Sequence, residues 1–251
     1  QYGNLDIVVD RLTDKEQVMK ARLHPLNLLI AWRTYAKGRS DQRDGTGRVT
    51  KSNTWEPIPQ VVDALEESFY LSFHTVEPTG KRFLQGIDIS GSMSAAIADL
   101  PISCREAAGV MAMVRKRTER RVDSLYFDTE VKPIALGKND SLATVMTKMS
   151  DRLWGWGGTD CSKPIRYALK NKIEADCFEF YTDSETNTGS HPMAALREYR
   201  QKMGIDAKMV VVGMTSTGFT IADPNDTGTL DVVGFDPTVP AVISNFATGS
   251  L

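Results

Sequence analysis

From residue 82 onward, short apolar runs alternate with stretches in which apolar residues recur every three or four positions. RFLQGID, VDSLYFD, DCFEFYTD, AKMVVVG and LDVVGF read as strands, whereas CREAAGVMAMVRKR, MAALREYRQKM and VPAVISNF read as helices. The alternation predicts an α/β fold, a mostly parallel Rossmann-like sheet with helices on both faces. In such sheets, sites gather in the crevice outside the strands' carboxyl ends.

The first part of the chain has a different rhythm. From Thr13 to about Phe73 the signals are helical: Thr13-Asp-Lys-Glu16 has the form of a capping box, Pro25 suits a first helical turn, and Gly38 suits a helix end. Ile58, Val61, Val62, Leu65, Phe69 and Phe73 fall on one side of a further helix. Between them, RSDQRDGTGRVTKSN is polar and rich in turn formers, and is expected to be a mobile loop. The pattern divides the chain into residues 1–76, a short helical segment like the last units of a stacked array, and residues 77–251, the α/β domain.

Composition excludes little. The 251 residues can bury one core plus an appendage, and a net charge of −2 argues against a surface that wraps nucleic acid over its whole face. No apolar run approaches the roughly 18 residues of a membrane span, and Gln1 begins no signal peptide, so the chain reads as an excised piece. Cys104, Cys161 and Cys177 lack zinc or redox spacing and read as reduced thiols of a cytosolic, that is cytoplasmic, protein.

The chemistry centres on DISGSM, residues 88–93, which closes one strand run. A hydrolase elbow needs Gly-x-Ser-x-Gly, and Asp88 and Ser92 occupy its glycine positions. Gly80-Lys81 precedes a strand, the wrong side for a phosphate loop, and Ser90 is a poor proton donor for a phosphoryl-aspartate mechanism. Asp223-Pro-Asn225-Asp-Thr-Gly228 imitates a calcium loop but has Gly234 where a bidentate Glu belongs. A metal site remains. Ser90 and Ser92 can face one point, Asp88 can orient them or a bound water, Thr159 after its glycines adds a third neutral oxygen, and Asp183 adds a second carboxylate. An all-oxygen set favours Mg²⁺ or Mn²⁺ over zinc or copper.

DISGSM, GGTDCS and YTDSET resemble the metal-ion-dependent adhesion site (MIDAS) of von Willebrand factor A domains. KARLHPLNLLIAW, VEPTGKRFL, HPMAALREYRQKM and GMTSTGFTIADP, in this order, are similar to the Ro autoantigen family, and the resemblance runs from about Leu12 to the end. It implies a von Willebrand A-like domain after the last helices of a helical-repeat (TROVE) module. It also implies metal contacts by Ser90, Ser92 and Thr159, with Asp88 and Asp183 as direct or water-mediated ligands. The family binds Y RNA on its helical ring and captures the ends of misfolded RNA, and such noncoding RNA is the partner expected of the full-length protein, with weak or absent binding by this chain. At the metal, the expected partner is an acidic group of a protein or an RNA phosphate. No membrane is implied. Trp154 and Trp156 depart from the family's loop.

The expected function is binding, not enzymatic: a metal-dependent macromolecule-binding domain of a noncoding-RNA ribonucleoprotein concerned with RNA quality control. The alternative is a metal-dependent hydrolase, for which His191 and Glu185 are the nearby candidate bases. Other residues carry two readings each. Trp154 and Trp156 can stack a base or pack on their own domain. Arg115, Lys116, Arg117, Arg120 and Arg121 can meet RNA phosphates or simply suit a helix's carboxyl end. His191 can approach the site or cap the helix starting near Pro192, and Cys161 is a redox sensor or a small buried thiol.

Overall fold

The computed structural model describes residues 4–46, 48–97, 102–149, 158–183, 189–214, 220–234 and 238–251. Two compact units divide the chain near residue 77.

In the first unit, helices α1 (Leu5–Thr13), α2 (Lys15–Ala21), α3 (Pro25–Lys37) and α4 (Pro59–Leu71) surround Leu26, Leu29, Trp32, Leu65 and Phe69, all buried. Trp32 and Phe73 bring their rings to 6.0 and 5.1 Å from that of Phe69. Pro25 opens α3, and Gly38 closes it at φ 69°. The N-terminal cap of α2 is Asp14, not Thr13: Thr13 is the last residue of α1, and the Asp14 carboxylate accepts the N–H groups of Glu16 and Gln17 at 2.7 and 3.1 Å.

The polar stretch after Gly38 is a two-stranded antiparallel ribbon, β1 (Arg39–Arg43) and β2 (Val49–Thr54), where a mobile loop was expected. Polar cross-strand pairs hold it. Asp41 faces Ser52, whose hydroxyl donates to its carboxylate at 2.6 Å, and Asp44 organises the turn by accepting from the Thr46 hydroxyl and the Arg48 N–H. With every residue of β2 exposed, apolar periodicity carried no sign of it.

The second unit is the expected α/β sandwich. Its strands are β3 (Arg82–Asp88), β4 (Arg121–Phe127), β5 (Val131–Pro133), β6 (Cys177–Thr182), β7 (Lys208–Gly213) and β8 (Thr229–Val233). They form one sheet in the order β5-β4-β3-β6-β7-β8, parallel throughout except for the antiparallel edge strand β5. Helices α5 (Cys104–Thr118), α6 (Leu142–Met149), α7 (Lys163–Lys170), α8 (Pro192–Met203) and α9 (Val239–Thr248) complete it, with α6 and α7 additional to the sequence reading. On one face Ile165, Leu196 and Tyr199 of α7 and α8 pack on Leu84, Phe178, Phe180 and Val211. Gly86 permits the approach: a Cβ there would stand 2.9 Å from the Phe180 ring and 3.1 Å from Pro164.

The other face carries a buried polar cluster beneath α5. Arg115 donates from Nε and Nη2 to the Glu179 carboxylate at 2.9 and 2.6 Å and from Nη1 to Ser244 of α9 at 3.2 Å, with its guanidinium 4.3 Å from the Phe83 ring centre. Gln85 and Tyr181 donate to the second Glu179 oxygen at 3.2 and 3.1 Å, and Ser124 donates to Gln85 at 2.8 Å. Burial first, and then the Glu179 charge, push the Tyr181 phenol well above its ordinary range, so it stays a donor. Glu119 accepts the N–H groups of Thr79 and Gly80 at 2.7 and 3.1 Å, and its carboxylate lies 3.6 Å from Arg115.

Removing one partner of such a buried pair strands the other's charge. Arg115→Met is therefore expected to cost about 3–5 kcal/mol in urea unfolding; a loss below about 1 kcal/mol would show that the cluster is not held as described.

Candidate functional site

The order of strands places a topological switch point between β3 and β6: the chain leaves β3 toward β4 on one side and returns to β6 on the other. Crevices form at such points, outside the strands' carboxyl ends. Asp88 is the last residue of β3, and Asp183 follows the last residue of β6.

Asp88 is fully buried, with both oxygens engaged. Oδ1 accepts the Ser90 N–H at 2.8 Å, and Oδ2 accepts the Thr182 hydroxyl from the neighbouring strand at 2.7 Å. The first bond turns the chain sharply after β3, so that the Ser90 and Ser92 hydroxyls lie 3.1 Å apart. The Ile89 N–H reaches Phe127 O at 3.2 Å, fastening the same turn to β4. Arg105, in the first turn of α5, donates to the carbonyls of Ile89 and Ser90 at 3.3 Å each. Thr159 is buried in the loop before α7, and the Asp160 N–H next to it donates to Asp128 O at the end of β4, at 2.9 Å. Three chain segments thus meet at the carboxyl ends of β4, β3 and β6.

Two buried carboxyls, Asp88 and Asp183, lie near one another here. Burial is the main reason the Asp88 carboxyl is pushed up to about 6; hydrogen bonds from Ser90 and Thr182 oppose the shift, and the Asp183 charge adds to it. Asp183 is itself buried, and its Oδ1 has no hydrogen-bond partner. An orphaned carboxylate oxygen beside a second acid and a pair of convergent hydroxyls fits a hard, oxygen-seeking divalent ion. Among the described residues there is no group of three or more His, Cys, Asp or Glu that could hold a metal, so the hydroxyls are essential to this fit.

The cationic residues 115–121 do not form one surface. Arg115 is unavailable to a phosphate, which corrects that expectation: it is 4% exposed and spent on Glu179. Lys116 donates to Val122 O at 2.6 Å and Arg117 to Asp140 O at 2.8 Å. Arg120 and Arg121 are exposed, but at the start of β4, about 20 Å along the strand from the carboxyl edge. His191 caps α8, its Nδ1 accepting the Met193 N–H at 3.3 Å. All three cysteines are buried thiols. Trp154, Trp156 and Glu185 lie outside the described residues.

Sequence reasoning missed Thr182, Asp160, Ser162 and Arg105. Thr182 precedes the predicted Asp183, yet only the β3–β6 register, Ile87 beside Tyr181, reveals that it faces Asp88.

The Ro60 vWA domain family matches residues 82–247. RNA-binding protein RO60 of Caenorhabditis elegans is 39% identical over 249 residues, covering 98% of this chain and 37% of that protein. The protein of the same name from Deinococcus radiodurans is 40% identical over 252 residues, covering 99% and 46%. The crystal structure of the Deinococcus radiodurans RO (RSR) protein superposes with a TM-score of 0.89 at 39% identity, covering 99% of this chain and 49% of that one. The chain thus spans less than half the length of these relatives.

The buried Asp88 carboxyl gives a testable pH dependence. Its folded value of about 6 exceeds the ordinary 3.8, so its favourable contribution is complete below 3.8 and is lost as pH rises through about 6, a penalty of order 3 kcal/mol. In chelator, Asp88→Asn is expected to melt higher than the unmodified chain at pH 7.5, with the difference vanishing by pH 4. Equal melting temperatures at both pH values would contradict the assigned burial.

Proposed function

Because the chain belongs to the Ro60 family and carries its vWA domain, we propose that residues 77–251 form a domain that binds a macromolecular partner through Mg²⁺ or Mn²⁺, within a noncoding-RNA ribonucleoprotein. The observation that carries this reading is the mixed donor set at the switch point: two convergent hydroxyls, a committed Asp88 and the orphaned Asp183 Oδ1.

Ser90, Ser92 and Thr159 would hold the ion through neutral oxygens. Asp88, with both oxygens already accepting hydrogen bonds, would act through water, and Asp183 would supply the other carboxylate. The ion supplies residual positive charge for an acidic oxygen from outside, either a protein carboxylate or an RNA phosphate. The chain's part is to fix the hydroxyls and keep Asp88 from closing on the ion. Of the two candidate bases for hydrolysis, His191 is engaged through Nδ1 as a helix cap and Glu185 lies outside the described residues; binding is the preferred reading.

Residues 1–76 are the last helices of a helical-repeat module in this reading, and the rest of that module carries the Y RNA and misfolded-RNA surface in RNA quality control. The setting is the cytoplasm. No helix among the described residues is long and apolar enough to cross a membrane.

Two outcomes follow. Calorimetry should detect Mg²⁺ or Mn²⁺ binding that is sharply reduced by Asp88→Ala or Ser90→Ala, and capture of a partner should be lost with chelator and weakened by Thr159→Ala; no binding by the unmodified chain removes the metal assignment. Y RNA should bind this chain far more weakly than a full-length parent at the same ionic strength, with residual binding falling as salt rises. Equal affinities would move the RNA site into these 251 residues.

A further inference from the structure

Of the three segments that meet at the switch point, the one bearing Thr159 has no strand to place it. Asp88 ends β3 and Asp183 follows β6, so hydrogen-bonded ladders fix both, whereas Thr159 stands in irregular chain before α7. A hydroxyl ligand is useful only if held in place, because Mg²⁺ demands near-ideal octahedral geometry at short distance.

The next residue, Asp160, supplies that hold. It is 6% exposed. Its N–H donates to Asp128 O at 2.9 Å, tying the loop to the end of β4. Its Oδ1 accepts both the N–H and the hydroxyl of Ser162, at 3.0 and 2.6 Å, and its carbonyl accepts the Lys163 N–H at 3.2 Å, fixing the start of α7. On the far side, Ser190 donates to the Ser162 hydroxyl at 3.2 Å. Gly189 lies against the carboxylate: at φ 80°, a Cβ there would stand 2.1 Å from Asp160 Oδ2. A side chain at 189 is thus excluded both by backbone conformation and by collision with Asp160.

One residue therefore links the end of β4 through its N–H and the start of α7 through its carboxylate and carbonyl, with Gly189 of the segment returning from β6 packed against it, immediately beside Thr159. We propose that Asp160 is a positioning residue, which sets the Thr159 hydroxyl toward Ser90 and Ser92 without itself touching the ion. The inference rests on the metal reading above and assigns the glycine at 189 to the same device.

The test is Mn²⁺ titration of the 251-residue chain and its variants, followed by calorimetry, beside melting of each in chelator. Asp160→Ala is expected to weaken Mn²⁺ binding by on the order of 10- to 100-fold, the range typical of groups that orient a ligand. Asp160→Asn keeps an oxygen for both Ser162 donors and is expected to bind Mn²⁺ close to the unmodified chain. Ser162→Ala, which removes the 2.6 Å bond and leaves the carboxylate, should weaken binding by a smaller factor with little change in metal-free melting; it carries the test even where Asp160→Ala does not fold. Unchanged Mn²⁺ binding in Asp160→Ala or Ser162→Ala overturns the inference alone. Equal loss in the Asn and Ala variants also overturns it, by making Asp160 a direct ligand. No binding by the unmodified chain removes the metal reading, and the clamp's purpose with it.

Discussion

The hydrogen bond from Thr182 to Asp88 is the constraint on which the site depends. It crosses the point where the sheet's connections reverse direction, joining the tips of two neighbouring parallel strands at the register position after Ile87 and Tyr181. Burying a carboxylate there is costly, and that cost is offset only by donors in fixed positions. The Ser90 N–H is one, and making that bond forces the chain into the turn that presents Ser90 and Ser92 together. Fold and site are thus one problem: the backbone conformation that satisfies the buried acid also aligns the hydroxyls.

The cationic helix end does not present one surface to a partner. The apparent basic cluster at 115–121 is contiguous in sequence but splits in space among core, half-buried and exposed positions. Helical geometry turns Arg115, Lys116 and Arg117 through about 100° each, and Arg120 and Arg121 lie beyond the helix, so neighbours in sequence face different surroundings. Charge counted along a line overestimates charge presented on a surface.

Much of the architecture was legible because it rests on burial. The β3, β6 and β7 segments have near-continuous apolar runs, as parallel strands covered on both faces require, and all three were read correctly to within a residue or so. The ribbon β1–β2 was illegible for the complementary reason: its strands are made by backbone pairing and polar side-chain bonds, with no buried face to imprint a period. Glu179 and Gln85 were invisible in another way. Each sits in an apolar strand as a polar interruption, and nothing in either segment announces that the two interrupt at the same height, opposite Arg115. At the switch point, the residue types named a metal-like donor set, but Thr182 and Asp160 needed the register and the loop path to acquire meaning.

The cluster around Arg115 bears on how the α/β unit comes apart. The segment leading into β3 is held through Glu119 and the terminal helix α9 through Ser244, so both ends of this unit are fastened close to one guanidinium. Peeling either end away would open buried charges to water while their partners stayed inside. Opening at either place disturbs the same guanidinium, which couples amide-exchange protection in the segment before β3 to that in α9.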